Sequence, residues 1–228
     1  MLRISLLLSL LFNTVFVHAE SEPYNRVNFQ VEVARVVSND LISARLSVEI
    51  QDKSPATVAQ QINTVLNDAL SKSQKSIEVK ATSGNQNTYP VYGKNNQVDA
   101  WRGRAEINLE SRDFKATGEL IMQLQQHMQL ANIQFSIAPD TRTRTENDLV
   151  SEVIKAFQTR ANAISKAMGT NGFKIVSLFI NSGGNLPVPL ARPMMRSALA
   201  VESSIPSPDF EAGDSRLTVQ ASGTIELQ

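Results

Sequence analysis

The chain has 228 residues, 42% of them hydrophobic, and its 22 basic residues balance its 22 acidic residues. A neutral chain offers no electrostatic attraction to the phosphates of nucleic acid, so we expect no nucleic-acid partner. The sequence contains no cysteine, which excludes disulfides and a zinc site built from His and Cys. Stability must therefore come from a packed core and from assembly.

The first 19 residues have the pattern of a signal peptide. Arg3 provides a positive start, residues 4–17 form an apolar stretch, and Val-His-Ala precedes a cleavage point after Ala19. The alternative is a membrane anchor, but a spanning helix needs about 20 mainly apolar residues. This stretch is shorter and includes Ser, Asn and Thr. We expect export, and a mature chain of 209 residues that starts at Glu20, has 21 basic and 22 acidic residues and contains no membrane segment.

The first elements are two strands and a helix. Apolar and polar residues alternate in residues 27–37 and again in residues 41–50, on either side of a polar turn at Ser38–Asp40. This pattern predicts a β-hairpin. The apolar spacing then becomes helical, with Ser54 as the expected N-cap and Pro55 at the first helical position.

Strands and a helix recur in the middle of the chain. Residues 98–111 alternate as a strand, and a helix capped by Asp113 follows. Another strand begins near Ile133 and is stopped by Pro139.

The last third begins with the longest predicted helix. Thr145 is its expected cap, Phe157 lies in its apolar stripe, and Gly169 ends it. Strand patterns follow in residues 172–180 and 215–227.

Strands in hairpin order together with three helices predict an α+β fold, not a doubly wound parallel sheet. We expect two small two-layer α-β sandwiches, each with an antiparallel or mixed sheet and helices on one face. After the signal peptide (1–19), residues 20–74 plus 141–228 would form an outer domain, and residues 75–140 a domain inserted into it.

Four segments together resemble the SIMPL-domain family of bacteria. RDFKATGELI, from Arg112, resembles the family's Asp-x-x-x-x-Gly-Glu-Leu helix start, and TRANAISKAMG, from Thr159, is similar to its Ala-, Arg- and Lys-rich helix closed by Gly. FKIVSLFI follows that helix, and LPVPLARPMMRSALA precedes the last strand. The long helix departs from the family in its larger Phe157 and Ile164. The resemblance covers nearly all of the mature chain.

The resemblance implies a periplasmic protein with an α+β fold in two parts and a tendency to form ring-like oligomers. It also implies a loose link to envelope or oxidative stress. It implies no settled reaction, no cofactor and no catalytic residue.

The side chains that could support catalysis do not form a recognisable set. His127 would be the only histidine after cleavage, at the edge of a helix stripe, so a Ser-His-Asp triad would have to use it. We interpret three acidic residues as the solvent-exposed start of a helix: Glu146, Asp148 and Glu152. A hydrolase that uses carboxylates alone remains an alternative, and it needs two carboxyl groups facing one cleft.

The segment from Ser182 to Asp214 holds five prolines and an apolar stretch, which is unusual for a solvated loop. We expect it to dock on a neighbouring subunit, with folding back on its own chain as the alternative. The candidate interface residues are Leu186, Val188, Leu190, Met194, Met195 and Leu199.

The sequence therefore predicts a non-enzymatic, self-assembling protein, and the resemblance implies that it acts indirectly in envelope or oxidative stress tolerance. Thioether sulfur is a soft ligand suited to Cu(I), so a copper or small-ligand module built on Met194 and Met195 is the other alternative.

Overall fold

The computed structural model describes residues 24–182, 188–190 and 210–228. The predicted signal peptide lies outside these residues. The strands are β1 (Arg26–Ser38), β2 (Leu41–Asp52), β3 (Lys80–Tyr92), β4 (Val98–Ser111), β5 (Gln129–Ser136), β6 (Phe173–Ser182), β7 (Val188–Leu190) and β8 (Asp214–Leu227). The helices are α1 (Pro55–Ser73), α2 (Phe114–Leu124) and α3 (Pro139–Ala167).

The strands form two antiparallel sheets. The outer sheet has the order β1-β8-β6, and β7 also pairs with β8. The inserted sheet has the order β3-β4-β2-β5. The chain enters the inserted sheet after β1 and leaves it before α3, so one unit is inserted into the other. The predicted α+β class with two layered units is confirmed.

One face of each sheet is covered by one or two helices. Helix α3 covers the outer sheet, where Phe157 is fully buried and stacks on Phe29 with ring centroids 4.4 Å apart. Helices α1 and α2 cover the inserted sheet. Helix α1 lies so close to Gly103 that a Cβ there would come within 2.4 Å of Val58 and 2.5 Å of Ile62.

Local capping explains where two helices begin. The Ser54 side chain accepts a hydrogen bond from the backbone N of Thr57 at 3.4 Å, and Asp113 accepts one from the backbone N of Ala116 at 2.8 Å. Gly169, with φ of +70°, follows the end of α3 in a conformation that suits glycine. These three predicted signals are confirmed. They could be predicted from the sequence because each acts within one helical turn.

The predicted hairpin between the first two strands is wrong. Strand β1 pairs with β8, whereas β2 pairs with β4 and β5. The alternation identified each strand correctly but could not identify its partner, because pairing depends on distant segments. The domain boundaries change for the same reason: residues 41–73, assigned from sequence to the outer domain, belong to the inserted unit.

The turn predicted between β1 and β2 instead joins the two units. The Asn39 side chain donates to the backbone O of Ala212 at 2.8 Å and accepts from Ser215 Oγ at 2.7 Å, while its backbone N donates to Gly213 O at 3.1 Å. Asn39 and Ser215 are both buried. These bonds fix the point at which the chain leaves the outer sheet.

The next residue, Asp40, completes the junction by capping α3. Its carboxylate accepts from Ala138 N and Thr141 Oγ1, each at 2.6 Å. Burial raises the pKa of Asp40, but these hydrogen bonds and the charge of Arg112 outweigh burial and hold it below its usual value. Helix α3 therefore begins at Pro139 and not near Thr145, which lies inside the helix and bonds to the carbonyl of Thr141.

Candidate functional surface

The six predicted interface residues are only partly described. Leu186, Met194, Met195 and Leu199 lie outside the described residues. Val188 and Leu190 belong to β7, whose backbone pairs with Arg216 and Asp214 of the same chain. Residues 188–190 therefore lie on their own sheet, and docking of the remaining segment on a neighbour stays a prediction.

His127, predicted at the edge of a helix stripe, is exposed in the turn that follows the end of α2 at Leu124. Its backbone N donates to Leu124 O at 3.1 Å, so its position follows from the end of the helix.

The acidic side chains on α3 are engaged in ion pairs. Arg35 of β1 contacts Asp148 at 3.2 Å and Glu152 at 2.5 Å, and Arg142 contacts Glu146 at 2.7 Å. The hydrogen bond to Asp148, opposed in part by burial and assisted by the charge of Glu152, raises the pKa of Arg35. Asp148 and Glu152 therefore link α3 to β1 at the edge of the outer sheet, whereas Glu146 forms its ion pair within α3.

The helix-free face of the inserted sheet carries a depression of about 300 Å³. Arg45 lies in it and donates to Asn108 Oδ1 at 3.2 Å. Its other polar lining residues are Ser43, Lys80, Thr82, Glu110, Asn132 and Gln134. This lining contains one carboxylate and no histidine, so it can hydrogen-bond but holds no acid–base pair. Among the residues that the structure describes, no group of three or more His, Cys, Asp or Glu is placed to hold a metal ion.

The outer sheet presents a different surface along β6. Among the described strands β6 pairs only with β8, so its other edge is open. Phe179 is 68% exposed on the helix-free face, and Val176 is also exposed beside an irregularity in the pairing with β8. Ile175 and Ile180, on the helix side, are 37% and 39% exposed. Within the described part of the chain, β6 is therefore an edge strand with apolar side chains on both faces.

The exposure of β6 follows from the position of α3. The axes of the two outer strands are about 9.6 Å apart, so a helix about 10 Å wide covers all three strands only when it is centred over the middle one. The Phe29–Phe157 stack places α3 towards β1 and β8. Ile175 and Ile180 consequently remain beside the helix and not beneath it.

Gly223 sets the shape of β6. It lies opposite Leu178, just beyond the pairing irregularity between Ile175 and Ser177. A Cβ at Gly223 would lie 2.3 Å from the backbone O of Ser177 and 3.1 Å from Phe157 Cζ. The close approach of β6 to β8 therefore depends on glycine at this position.

Strand β1, at the opposite edge of the outer sheet, is more polar. Its helix-free face carries Asn28, Gln30 and Glu32, with a single large exposed apolar side chain at Val36. On its helix side, Arg35 is neutralised by the carboxylates of α3. The two edges of this sheet thus differ in chemistry, and the apolar one is β6.

The family model that matches this chain is SIMPL, described as a protein of unknown function (DUF541), and it covers residues 27–225. The chain belongs to the SIMPL family. The predicted family is therefore confirmed, and the match spans both the outer and the inserted units of this SIMPL protein.

Other comparisons add little. Two matching solved structures are described as the crystal structure of AtUAH in complex with glyoxylate and in complex with (S)-hydroxyglycine. Their identities are 15% and 14% and their TM-scores 0.30 and 0.29, and each match covers 53% of this chain. The SIMPL chain spans 34% of each of those chains, about a third of their length. No match was found among curated proteins.

Within the described residues, no helix is long and apolar enough to cross a membrane.

The sequence predicted β6 as a strand, because its run of apolar residues can be seen in the sequence. The sequence did not predict that β6 lies at an edge of the sheet, because that position depends on which strands pair with β8.

Proposed function

We propose that this SIMPL protein works without catalysis, by self-assembly through the open apolar edge of β6. The observation that carries the proposal is the exposure of four apolar side chains along a strand that pairs on one side only among the described strands: Ile175, Val176, Phe179 and Ile180. Exposed apolar patches mark interaction sites, and natural proteins rarely leave an apolar edge strand uncovered. Assembly would cover both the side chains and the free backbone groups.

The polar features of the molecule support this choice over a hydrolase. The α3 carboxylates Glu146, Asp148 and Glu152 are paired with arginines. The depression on the inserted sheet contributes a single carboxylate, Glu110. A copper module built on Met194 and Met195 rests on residues outside the described part of the chain, so no contact favours it.

The proposal is tested by the mass of the protein in solution. Light scattering at micromolar concentration should give at least twice the mass of one chain for the wild type. Phe179→Asp should reduce that mass to one chain, because it places a charge in the centre of the apolar edge.

Val36→Asp is the matched control, since Val36 is an exposed apolar residue on the other edge of the same sheet, 53% accessible. It should keep the wild-type mass. A monomeric wild type would refute self-assembly. Loss of assembly in Val36→Asp but not in Phe179→Asp would move the interface to β1.

We further propose that the mature protein acts in the periplasm and contributes indirectly to envelope or oxidative stress tolerance. This rests on the predicted signal peptide and on the resemblance to SIMPL proteins. Mass spectrometry of the periplasmic fraction should detect a chain that begins at Glu20. A deletion strain should be more sensitive to peroxide, with rescue by the wild type and not by Phe179→Asp. Equal rescue by both proteins would show that stress tolerance does not depend on assembly through β6.

A further inference from the structure

The depression on the helix-free face of the inserted sheet is a trough between two rows of polar side chains. Residues that lie opposite each other in neighbouring strands point to the same face of a sheet. Each strand of the inserted sheet contributes one residue to each row. From β3 to β5, the first row is Lys80, Glu110, Ser43 and Gln134, and the second row is Thr82, Asn108, Arg45 and Asn132. We call this feature the polar trough.

The shape of the polar trough follows from strand geometry. Neighbouring strands are about 4.8 Å apart, so a row of four side chains is about 14 Å long. The two rows are two residues apart along the strands, which is about 7 Å. Ala44 and Leu109 lie between the rows, but their side chains are buried in the core on the helix side. The floor of the trough is therefore backbone, and the trough runs across all four strands.

Most side chains of the polar trough are free to bind a ligand. Arg45 Nε donates to Asn108 Oδ1 at 3.2 Å, which is a bond within the second row. Further along the same face, Arg104 is paired with Glu106 at 3.2 Å. Within the described part of the chain, six side chains of the rows have no hydrogen bond or ion pair: Ser43, Lys80, Thr82, Glu110, Asn132 and Gln134.

The charges around the polar trough cancel one another. Lys80 lies opposite Glu110 in the register, and Arg45 Nε is 3.7 Å from Glu106 Oε2. An anion would meet the carboxylate of Glu110, and a cation would meet the ammonium group of Lys80. The other lining side chains are amides and hydroxyls, which both donate and accept hydrogen bonds. The trough therefore suits an uncharged ligand with many donors and acceptors.

An extended peptide fits this surface less well than a sugar chain. Peptides that bind to sheets commonly pair with the free backbone groups of an edge strand. The polar trough lies on the face of the sheet, where side chains and not edge groups are presented. A peptide would also bring apolar side chains, and the trough has no apolar pocket because Ala44 and Leu109 point to the other side. The hydroxyl groups of a sugar chain match the amides and hydroxyls of both rows.

The described chain leaves the polar trough open. Phe210 follows the undescribed residues 191–209 and contacts Phe135, with ring centroids 5.7 Å apart. Phe135 lies opposite the fully buried Ile42, on the helix side of the inserted sheet. The chain therefore returns to the described part on the face opposite the trough.

We propose that the polar trough binds an uncharged oligosaccharide, which lies across the four strands between the two rows. This site is on the inserted unit, so it goes beyond the proposed assembly and does not depend on β6. The trough is only about 300 Å³ and is open, so it would hold a short segment of a longer sugar chain.

Isothermal titration calorimetry of the complete mature chain tests the proposal. The probes are unbranched hexasaccharides of β-linked glucose, of α-linked glucose and of β-linked N-acetylglucosamine. At least one should bind, and its affinity should be the same at about 0.05 and 0.5 M NaCl, because the attraction does not depend on charge. A hexasaccharide of galacturonate, which is acidic, should bind less tightly because Glu110 repels it.

A double variant, Asn132→Ala with Gln134→Ala, removes one amide from each row. Both side chains are exposed and have no partner in the described part of the chain, so the melting temperature should not change. The loss of two hydrogen bonds should weaken binding about tenfold or more. Asn87→Ala is the matched control, since Asn87 is an exposed amide on the same face, opposite Arg104 and outside the trough. It should bind as tightly as the wild type.

The proposal is wrong if the wild type binds none of the neutral hexasaccharides, or if it binds the acidic one more tightly. Equal affinity of the double variant and the wild type would also overturn it, because the sugar would then bind elsewhere. Phe179→Asp should bind the sugar with wild-type affinity per chain. A monomeric wild type that binds the sugar would therefore refute self-assembly alone, and an assembled wild type that binds no sugar would refute the polar trough alone.

Discussion

Replacing Phe157 with Ala should be among the most damaging single changes in this protein. The ring is fully buried, stacks on Phe29 at 4.4 Å, and lies beside Gly223 of β8. A buried Phe→Ala change costs about 3–5 kcal/mol, from lost transfer free energy and from the cavity left behind. Gly223 has no side chain that could move into the space, so we expect a value in the upper half of that range.

Such a loss is a large share of a total stability of about 5–15 kcal/mol. For a chain of this length it corresponds to a fall in melting temperature of about 6–20 °C. Denaturant titration followed by circular dichroism measures the free energy of unfolding directly. Met168→Ala, at the exposed end of the same helix, is the control and should change stability by less than about 0.5 kcal/mol. A loss below about 1 kcal/mol in Phe157→Ala would mean that α3 does not pack on the outer sheet as described.

Three further predictions follow from single residues. Gly223→Ala should destabilise the protein by about 1–3 kcal/mol in denaturant titration, because the new Cβ would meet the backbone O of Ser177; an unchanged midpoint would contradict the described β6–β8 approach. Asp40→Ala should cost about 0.5–2 kcal/mol at neutral pH through loss of the α3 cap. Because the folded-state pKa of Asp40 is lowered, its contribution to stability is present above the ordinary value of 3.8 and is lost as pH falls below it. The free energies of unfolding of wild type and variant should therefore converge in acid. A difference that stays constant with pH would refute this linkage. His127→Ala should leave both melting temperature and stress phenotype unchanged, and loss of a defined activity without loss of stability would contradict the non-enzymatic account.

The sequence predicted those parts of the fold that depend on neighbouring residues. Ser54 and Asp113 cap their helices from one turn away, and Gly169 ends the third helix by its own backbone conformation. The start of α3 could not be predicted, because its cap is Asp40, 98 residues earlier in the chain. Strand partners were missed for the same reason, since alternation defines the faces of a strand and not its neighbour.

The candidate interface that the sequence predicts stays a prediction. The sequence indicated assembly through exposed apolar residues but placed them between Leu186 and Leu199. The described part of the chain exposes further apolar residues on β6, around Phe179. An apolar run such as FKIVSLFI is equally consistent with a buried central strand. Only the order of strands in the sheet, with β8 in the centre, distinguishes the two.

Amide hydrogen exchange of β6 tests the central claim most directly, because it reports on the free edge of the strand itself. If two copies pair through β6, the amides of residues 177–181 that point away from β8 should exchange slowly at high protein concentration and faster on dilution. The edge amides of β1 should exchange at a rate independent of concentration. Equally fast exchange of the outward β6 amides at every concentration would show that this edge stays open, and would contradict assembly through it.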